Sequence, residues 1–357
     1  MPDHRTRRLT RPFTRRDVLA GAMALAGATA ARPSFARSRV PWGIAVEHEA
    51  FTSDPDYRAA IRRHAQLVTP MNALKWGLLR YDRERFDFDK ADRLVAFAEG
   101  LRVPVHGHAL LWYAYNPPWV DAMRSRREAG DVLEKHVART VGRYRGRIRS
   151  WDVVNEVIAH DPAREGRWRE GIWQDLLGPS QVEIAFRAAR AADSSARLMI
   201  NDYDLEDDSS RTRARQDAML AIIRRLQDGG LTVDAVGMQA HLYAERAVGA
   251  ANLRRFLREL RAMGVGVAIT ELDVIDWRLP ADPSLRDVAA AELVDRYLGT
   301  VLSEATPDFV ATWGLSDRYS WIGETFPRDD DGSARPLPLD RDLRPKALFE
   351  VIRRYTS

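Results

Sequence analysis

Two glutamates in this chain stand where a carboxylate is hardest to accommodate. Trp151-Asp152-Val153-Val154-Asn155-Glu156 begins as an apolar, β-branched run and breaks off in an amide and a carboxylate. Val265-Gly266-Val267-Ala268-Ile269-Thr270 repeats the design and delivers Glu271, Leu272 and Asp273. Such runs form strands buried on both faces, and an ionised carboxylate is tolerable there only at an open end. Two buried strands that each bring one Glu to a cleft suit glycoside hydrolysis, in which one carboxyl group protonates the leaving oxygen and the other attacks the anomeric carbon. Either Glu alone would pass for a solvated strand cap. His241, at the end of another predicted strand, could reach Glu271, with Asp273 holding the imidazole, a pairing that favours ionised Glu271. Read by itself, His241 would be an ordinary structural histidine; its place two residues after Gln239 at a strand end weighs against that. Asn155, beside Glu156, is expected to present its amide to a sugar 2-hydroxyl.

The surrounding pattern predicts what positions these groups. Apolar runs at 42–46, 67–69, 103–105, 197–200, 235–238, 265–270 and 309–313, with the run before Glu156, read as eight strands. Helical periodicity falls between them at 54–66, 89–99, 131–144, 180–192, 211–227, 250–263 and 284–304, with a closing helix at 344–355. Eight alternating strands and helices imply an α/β fold, a single-domain (β/α)8 TIM barrel whose active site lies where the strands end. An open doubly wound sheet would want a Gly-rich turn after the first strand, and Trp42-Gly43-Ile44-Ala45-Val46-Glu47 supplies none. Trp76, Trp112, Trp313 and Trp321 all fall at predicted strand ends, so a Trp-lined cleft for a polysaccharide is expected; Trp42 and Trp151 are expected in the core. His106 and His108 share a strand face, but no Asp and His cluster completes a metal set. With no nucleophile elbow and no phosphate loop, no cofactor is implied.

The chain has 357 residues, no cysteine and a formal charge of +4. That charge belongs to the first 36 residues, where seven arginines face two aspartates; the remaining 321 carry 48 basic and 49 acidic residues. There is thus no electrostatic case for nucleic acid. Thr14-Arg15-Arg16-Asp17-Val18-Leu19 followed by an apolar stretch to Ala31 predicts a twin-arginine export signal over 1–36. Cleavage is expected after Ala30 or, preferably, Ala36, leaving 37–357 as the catalytic domain. The stretch is too short and too rich in Ala and Gly to anchor in a membrane. The mature protein is expected to be a periplasmic or secreted monomer that needs no disulfide.

The two Glu-bearing motifs also resemble the acid/base and nucleophile motifs of glycoside hydrolase family 10, the retaining endo-β-1,4-xylanases, over about 42–352. The resemblance implies xylan or a related β-1,4-linked polysaccharide as substrate, Glu156 as acid/base and Glu271 as nucleophile. His241 and Asp273 match the family's Gln-x-His and Glu-x-Asp motifs, and Gln239 is implied near Glu156. Asn72, Lys75, His108 and Trp112 resemble residues that bind sugar on the non-reducing side, and Trp313-Gly314-Leu315-Ser316-Asp317-Arg318-Tyr319-Ser320-Trp321 resembles the eighth-strand motif. Three positions depart. Met71 stands where the family has Glu, and Tyr113 and Tyr115 stand where it has His and Gln. Loss of two hydrogen-bonding groups at one sugar position raises the alternative of a retaining β-glycanase with altered glycone preference. A non-catalytic carbohydrate-binding barrel would be expected to have lost the two Glu, Asn155, Gln239 or His241.

Overall fold

Eight parallel strands curl into one closed sheet in the computed structural model, which describes residues 40–356. They are β1 (Trp42–Val46), β2 (Leu67–Pro70), β3 (His106–Gly107), β4 (Ser150–Asn155), β5 (Arg197–Asp202), β6 (Ala235–Met238), β7 (Gly266–Ile275) and β8 (Val310–Thr312). Pairing runs β2–β1–β8–β7–β6–β5–β4–β3. Val68 bridges Val105 in parallel, its N–H donating to the Pro104 carbonyl at 3.0 Å, which closes the ring between β2 and β3. The helices that follow the strands are α1 (Pro55–His64), α2 (Asp89–Leu101), α3 (Arg126–Arg143), α4 (Ser180–Ala192), α5 (Ser210–Asp228), α6 (Ala250–Ala262), α7 (Pro283–Glu304) and α8 (Ala347–Tyr355). This is the expected (β/α)8 barrel, in one compact unit. The expected export signal over 1–36 lies outside the described residues.

The elements differ from the sequence reading where a local signal was outvoted. α3 starts at Arg126 rather than near 131 because the Ser125 hydroxyl caps it, accepting from the Glu128 N–H at 3.4 Å. β3 sits at 106–107, past the apolar 103–105 run, of which Val105 joins through its bridge to Val68 and through its carbonyl, which accepts from the Arg149 N–H at 2.9 Å. β7 does not end at Thr270 but continues to Ile275, because Leu272, Val274 and Ile275 are also buried and 241–243 pairs alongside it.

The barrel is filled in layers. Leu67, Met199, Ala235, Ala268, Phe309 and Ala311 form an apolar floor. Above it lie buried polar groups: His106 sits against Phe309, with Nδ1 2.8 Å from the Ser150 hydroxyl and Nε2 2.9 Å from Asp152. A larger apolar shell between strands and helices surrounds the sheet. The first and last strands are joined at a seam. The Trp42 indole donates to the Thr312 hydroxyl at 3.3 Å, and Asp54 accepts from Arg318 at 2.6 Å and from the Tyr319 hydroxyl at 2.8 Å.

Gly107 on β3 lies beneath the Trp151 ring on β4, and a Cβ there would come within 2.2 Å of the ring. Gly107→Ala is therefore expected to destabilise the barrel by about 1–3 kcal/mol, the usual cost of overpacking. Thermal and urea unfolding check this, and an unchanged midpoint would contradict the packing.

Candidate active site

Both carboxylates stand beside an irregularity of the sheet, Glu156 just past the end of β4 and Glu271 within β7. Between Asp152/Met199 and Val154/Ile200, β4 advances two residues while β5 advances one. Between Val310/Ile269 and Thr312/Leu272, β7 advances three while β8 advances two. An extra residue of this kind re-aims the side chains that follow it. Glu156 itself lies in the left-handed region at φ 53°, its N–H donating to the Asn201 carbonyl at 2.8 Å. That conformation is uncommon for a residue with a Cβ.

Glu271 is 4% exposed. One oxygen accepts from the Asn201 amide at 2.7 Å, the other faces His241 Nε2 at 3.2 Å. The His241 Nδ1 is 2.8 Å from Asp273, whose second oxygen accepts from the Trp321 indole at 2.9 Å. His108 Nδ1 lies 2.8 Å from Asp152 and 3.9 Å from Glu271. Glu156 is half-buried and accepts from Gln239 Nε2 and from the Trp112 indole, each at 3.1 Å. Asn155 joins the two groups. Its oxygen accepts from Asn201 at 2.8 Å and from Gln239 at 3.3 Å, and its Nδ2 lies 3.4 Å from Glu156.

Charge follows from this wiring. Burial works to raise the Glu271 carboxyl, but the His241 hydrogen bond and the fields of His108, His241 and Lys75 outweigh it and hold the group below its usual 4.5. Burial opposes the His241 cation, yet Asp273 and Glu271 raise it well above 6.5. The Lys75 ammonium is pulled below its ordinary value by burial, against the fields of Glu271, Glu156 and Glu47. Its Nζ donates to Asn72 at 2.8 Å and lies over the rings of Trp112 (4.6 Å) and Trp313 (5.7 Å). Trp313 also packs edge-on against His108, 5.1 Å between ring centres.

Twelve of the residues singled out from sequence therefore meet at one mouth: Asn72, Lys75, His108, Trp112, Asn155, Glu156, Gln239, His241, Glu271, Asp273, Trp313 and Trp321. Trp76 is a correction. It is a core residue, 2% exposed, stacked on His136 with its indole donating to the Leu110 carbonyl at 2.7 Å. Asn201, Asp152 and Thr270 were missed as site residues; Thr270 donates to Asn201 at 2.6 Å, fixing which way that amide points. The only sequence signal for Asn201 is an amide ending an apolar strand, as Asn155 does. Met71 is half-buried, while Tyr113 and Tyr115 are 38% and 48% exposed, so these departures sit at the surface of the mouth.

His241→Ala is expected to remove the hydrogen bond that chiefly offsets burial, so Glu271 should titrate higher in the variant than in the parent. Carboxyl-carbon NMR of the folded protein reads both midpoints, and the same midpoint in both would remove His241 from the account.

The family model for glycosyl hydrolase family 10 matches residues 31–355. Endo-1,4-beta-xylanase B of Thermotoga neapolitana is 31% identical, with 85% of each chain covered. Endo-1,4-beta-xylanase 2 of Claviceps purpurea is 31% identical, with 94% of this chain and 98% of that one covered. Among solved structures, xylanase 10B of Thermotoga petrophila RKU-1, in complex with xylobiose, superposes with a TM-score of 0.81 at 27% identity, covering 97% of this chain and 98% of that one.

Proposed function

The chain belongs to glycosyl hydrolase family 10, and from that premise we propose that Glu271 is the nucleophile and Glu156 the general acid and base of a retaining endo-1,4-β-xylanase. The activity is hydrolysis of internal β-1,4-xylosidic bonds in xylan. One observation carries the division of labour: two carboxylates meet across the Asn155–Asn201 amide pair, one sealed among cationic partners and one half-open. A nucleophile must be ionised before substrate arrives, and the surroundings of Glu271 favour that form.

In the first step a Glu271 oxygen bonds to the anomeric carbon as the bond to the leaving oxygen breaks. Glu156 gives its proton to that oxygen. In the second, Glu156 takes a proton from water, whose oxygen bonds to the anomeric carbon as the ester to Glu271 breaks. Two inversions leave the configuration retained. His241, held by Asp273, steadies the negative charge that returns to Glu271. Asn155 has its oxygen committed to Asn201 and Gln239, which leaves its N–H groups for Glu156 and a sugar hydroxyl. Trp313 and Trp321 offer ring faces and edges to the sugars. Met71 and Tyr115 favour an altered glycone preference within this activity. We further propose export by the twin-arginine route. Replacing Arg15 and Arg16 with Lys should hold the precursor in the cytoplasm, and mature protein appearing outside at an unchanged rate would rule that route out.

The roles of the two carboxylates separate with azide. Glu271→Ala is expected to abolish turnover of xylan and aryl glycosides, and azide attacking in the vacated space should give an α-glycosyl azide by one inversion. Glu156→Ala should lose xylan hydrolysis yet still form the glycosyl-enzyme from a dinitrophenyl glycoside, whose leaving group needs little acid help. Azide should then release a β-glycosyl azide. NMR of the anomers decides, and the reverse pairing would exchange the two roles.

A further inference from the structure

A carboxylate that the mechanism does not use lies at the mouth of β1. The ladder pairs Val46 with Pro70, so the next residues out, Glu47 just past β1 and Met71 just past β2, are neighbours; the Met71 N–H donates to the Val46 carbonyl at 3.0 Å. Glu47 is half-buried. One of its oxygens accepts from the His48 N–H at 2.9 Å and the other from the Asn72 amide. Asn72 in turn accepts from Lys75, which stands over Trp112. Glu47 is thus wired into the site through two side chains. A carboxylate offers about four acceptor positions; His48 and Asn72 take two, and the Glu49 carboxyl hydrogen-bonds to the group as well.

The direction of the cleft follows from the acid. Glu156 sits on β4 and must face the leaving oxygen, so the departing part of the chain lies over the β4–β6 half of the mouth. The sugars that stay on Glu271 then run over the opposite half, across β8, β1 and β2. Met71 is apolar, so the half-buried carboxylate above that path is Glu47, with the exposed Glu49 beyond it.

We propose that Glu47 accepts hydrogen bonds from hydroxyls of the second sugar on the glycone side, and so sets the enzyme's preference for a glycone longer than one ring. This rests on the xylanase reading above. Burial and a hydrogen bond shared with the neighbouring Glu49 carboxyl push the Glu47 carboxyl up to about 7.

The test compares nitrophenyl β-xyloside, which places one sugar on the glycone side, with nitrophenyl β-xylobioside, which places two. Wild-type turnover of these glycosides checks the activity itself and is read first. Glu47→Gln keeps the size and an acceptor for Asn72 but loses the charge, and the comparison is made at pH 8, above the titration of Glu47, where the parent carboxyl is ionised. It is expected to lower the ratio of kcat/KM on the two-sugar substrate to that on the one-sugar substrate by about tenfold, the scale of one charge-assisted hydrogen bond. Xylobiose binding by calorimetry should weaken by about the same factor. Equal losses on both glycosides would make Glu47 only a prop for Asn72 and Lys75, and overturn the proposal. So would an unchanged ratio with unchanged xylobiose affinity.

Discussion

The site is organised by the need to hold one anion out of water. Glu271 is 4% exposed, and a buried charge left without partners costs several kcal/mol. Every compensating group has the same difficulty and needs partners of its own. His241 requires Asp273, which requires the Trp321 indole; Asn201 requires Thr270 to fix its orientation; Lys75 requires Asn72. These groups come from β5, β7, the segment after β6 and the loops after β2 and β8. Displacing any one would leave a charge or an amide unpaired in a poorly solvated place. The rigidity of the mouth is therefore a consequence of electrostatics as much as of barrel packing. The fields that hold Glu271 below 4.5 are those of the groups that also lock its position.

Much of this was legible in the sequence because buried parallel strands have a plain signature. A β-branched run that stops at Asn155-Glu156 or Thr270-Glu271 announces both a strand and an exception to its apolar rule. What sequence could not supply was direction. Trp76 and Trp112 both follow strands, yet one turns into the core against His136 and the other faces Glu156. Asn201 and Asp152 acquire meaning only from partners 70 and 44 residues away. The extent of β7 was hidden because its second half alternates charge with apolar residues, and its burial depends on the neighbouring 241–243 segment. The start of α3 was legible in principle, in Ser125-x-x-Glu128, but periodicity alone placed it too late.

Of the departures, Met71 lies beside the end of β1, Tyr115 lies 6.0 Å from the Lys75 ammonium, and Tyr113 packs under the Arg169 guanidinium at 4.9 Å. In a parallel barrel, neighbouring strands present their end residues side by side, so a function vacated on one strand can be taken up by the next with little movement of the atoms involved. The register of β1 against β2 puts Glu47 beside Met71 in that way. A pocket can change its chemistry by such an exchange while the carboxylates and their supports stay fixed.

The seam between β1 and β8 has a consequence for how the protein is made. Trp42 and Thr312, hydrogen-bonded across it, are separated by 270 residues. At about 5–20 residues per second, on the order of ten to fifty seconds pass on the ribosome between the two. Through that interval β1 is an apolar edge whose eventual neighbour does not exist, with only β2 and the following helices to shelter it. Neither Trp313 nor Trp321 has yet been added, so the glutamates emerge before the ring around them can close. The newborn chain thus keeps an open sheet edge until its last strand is released.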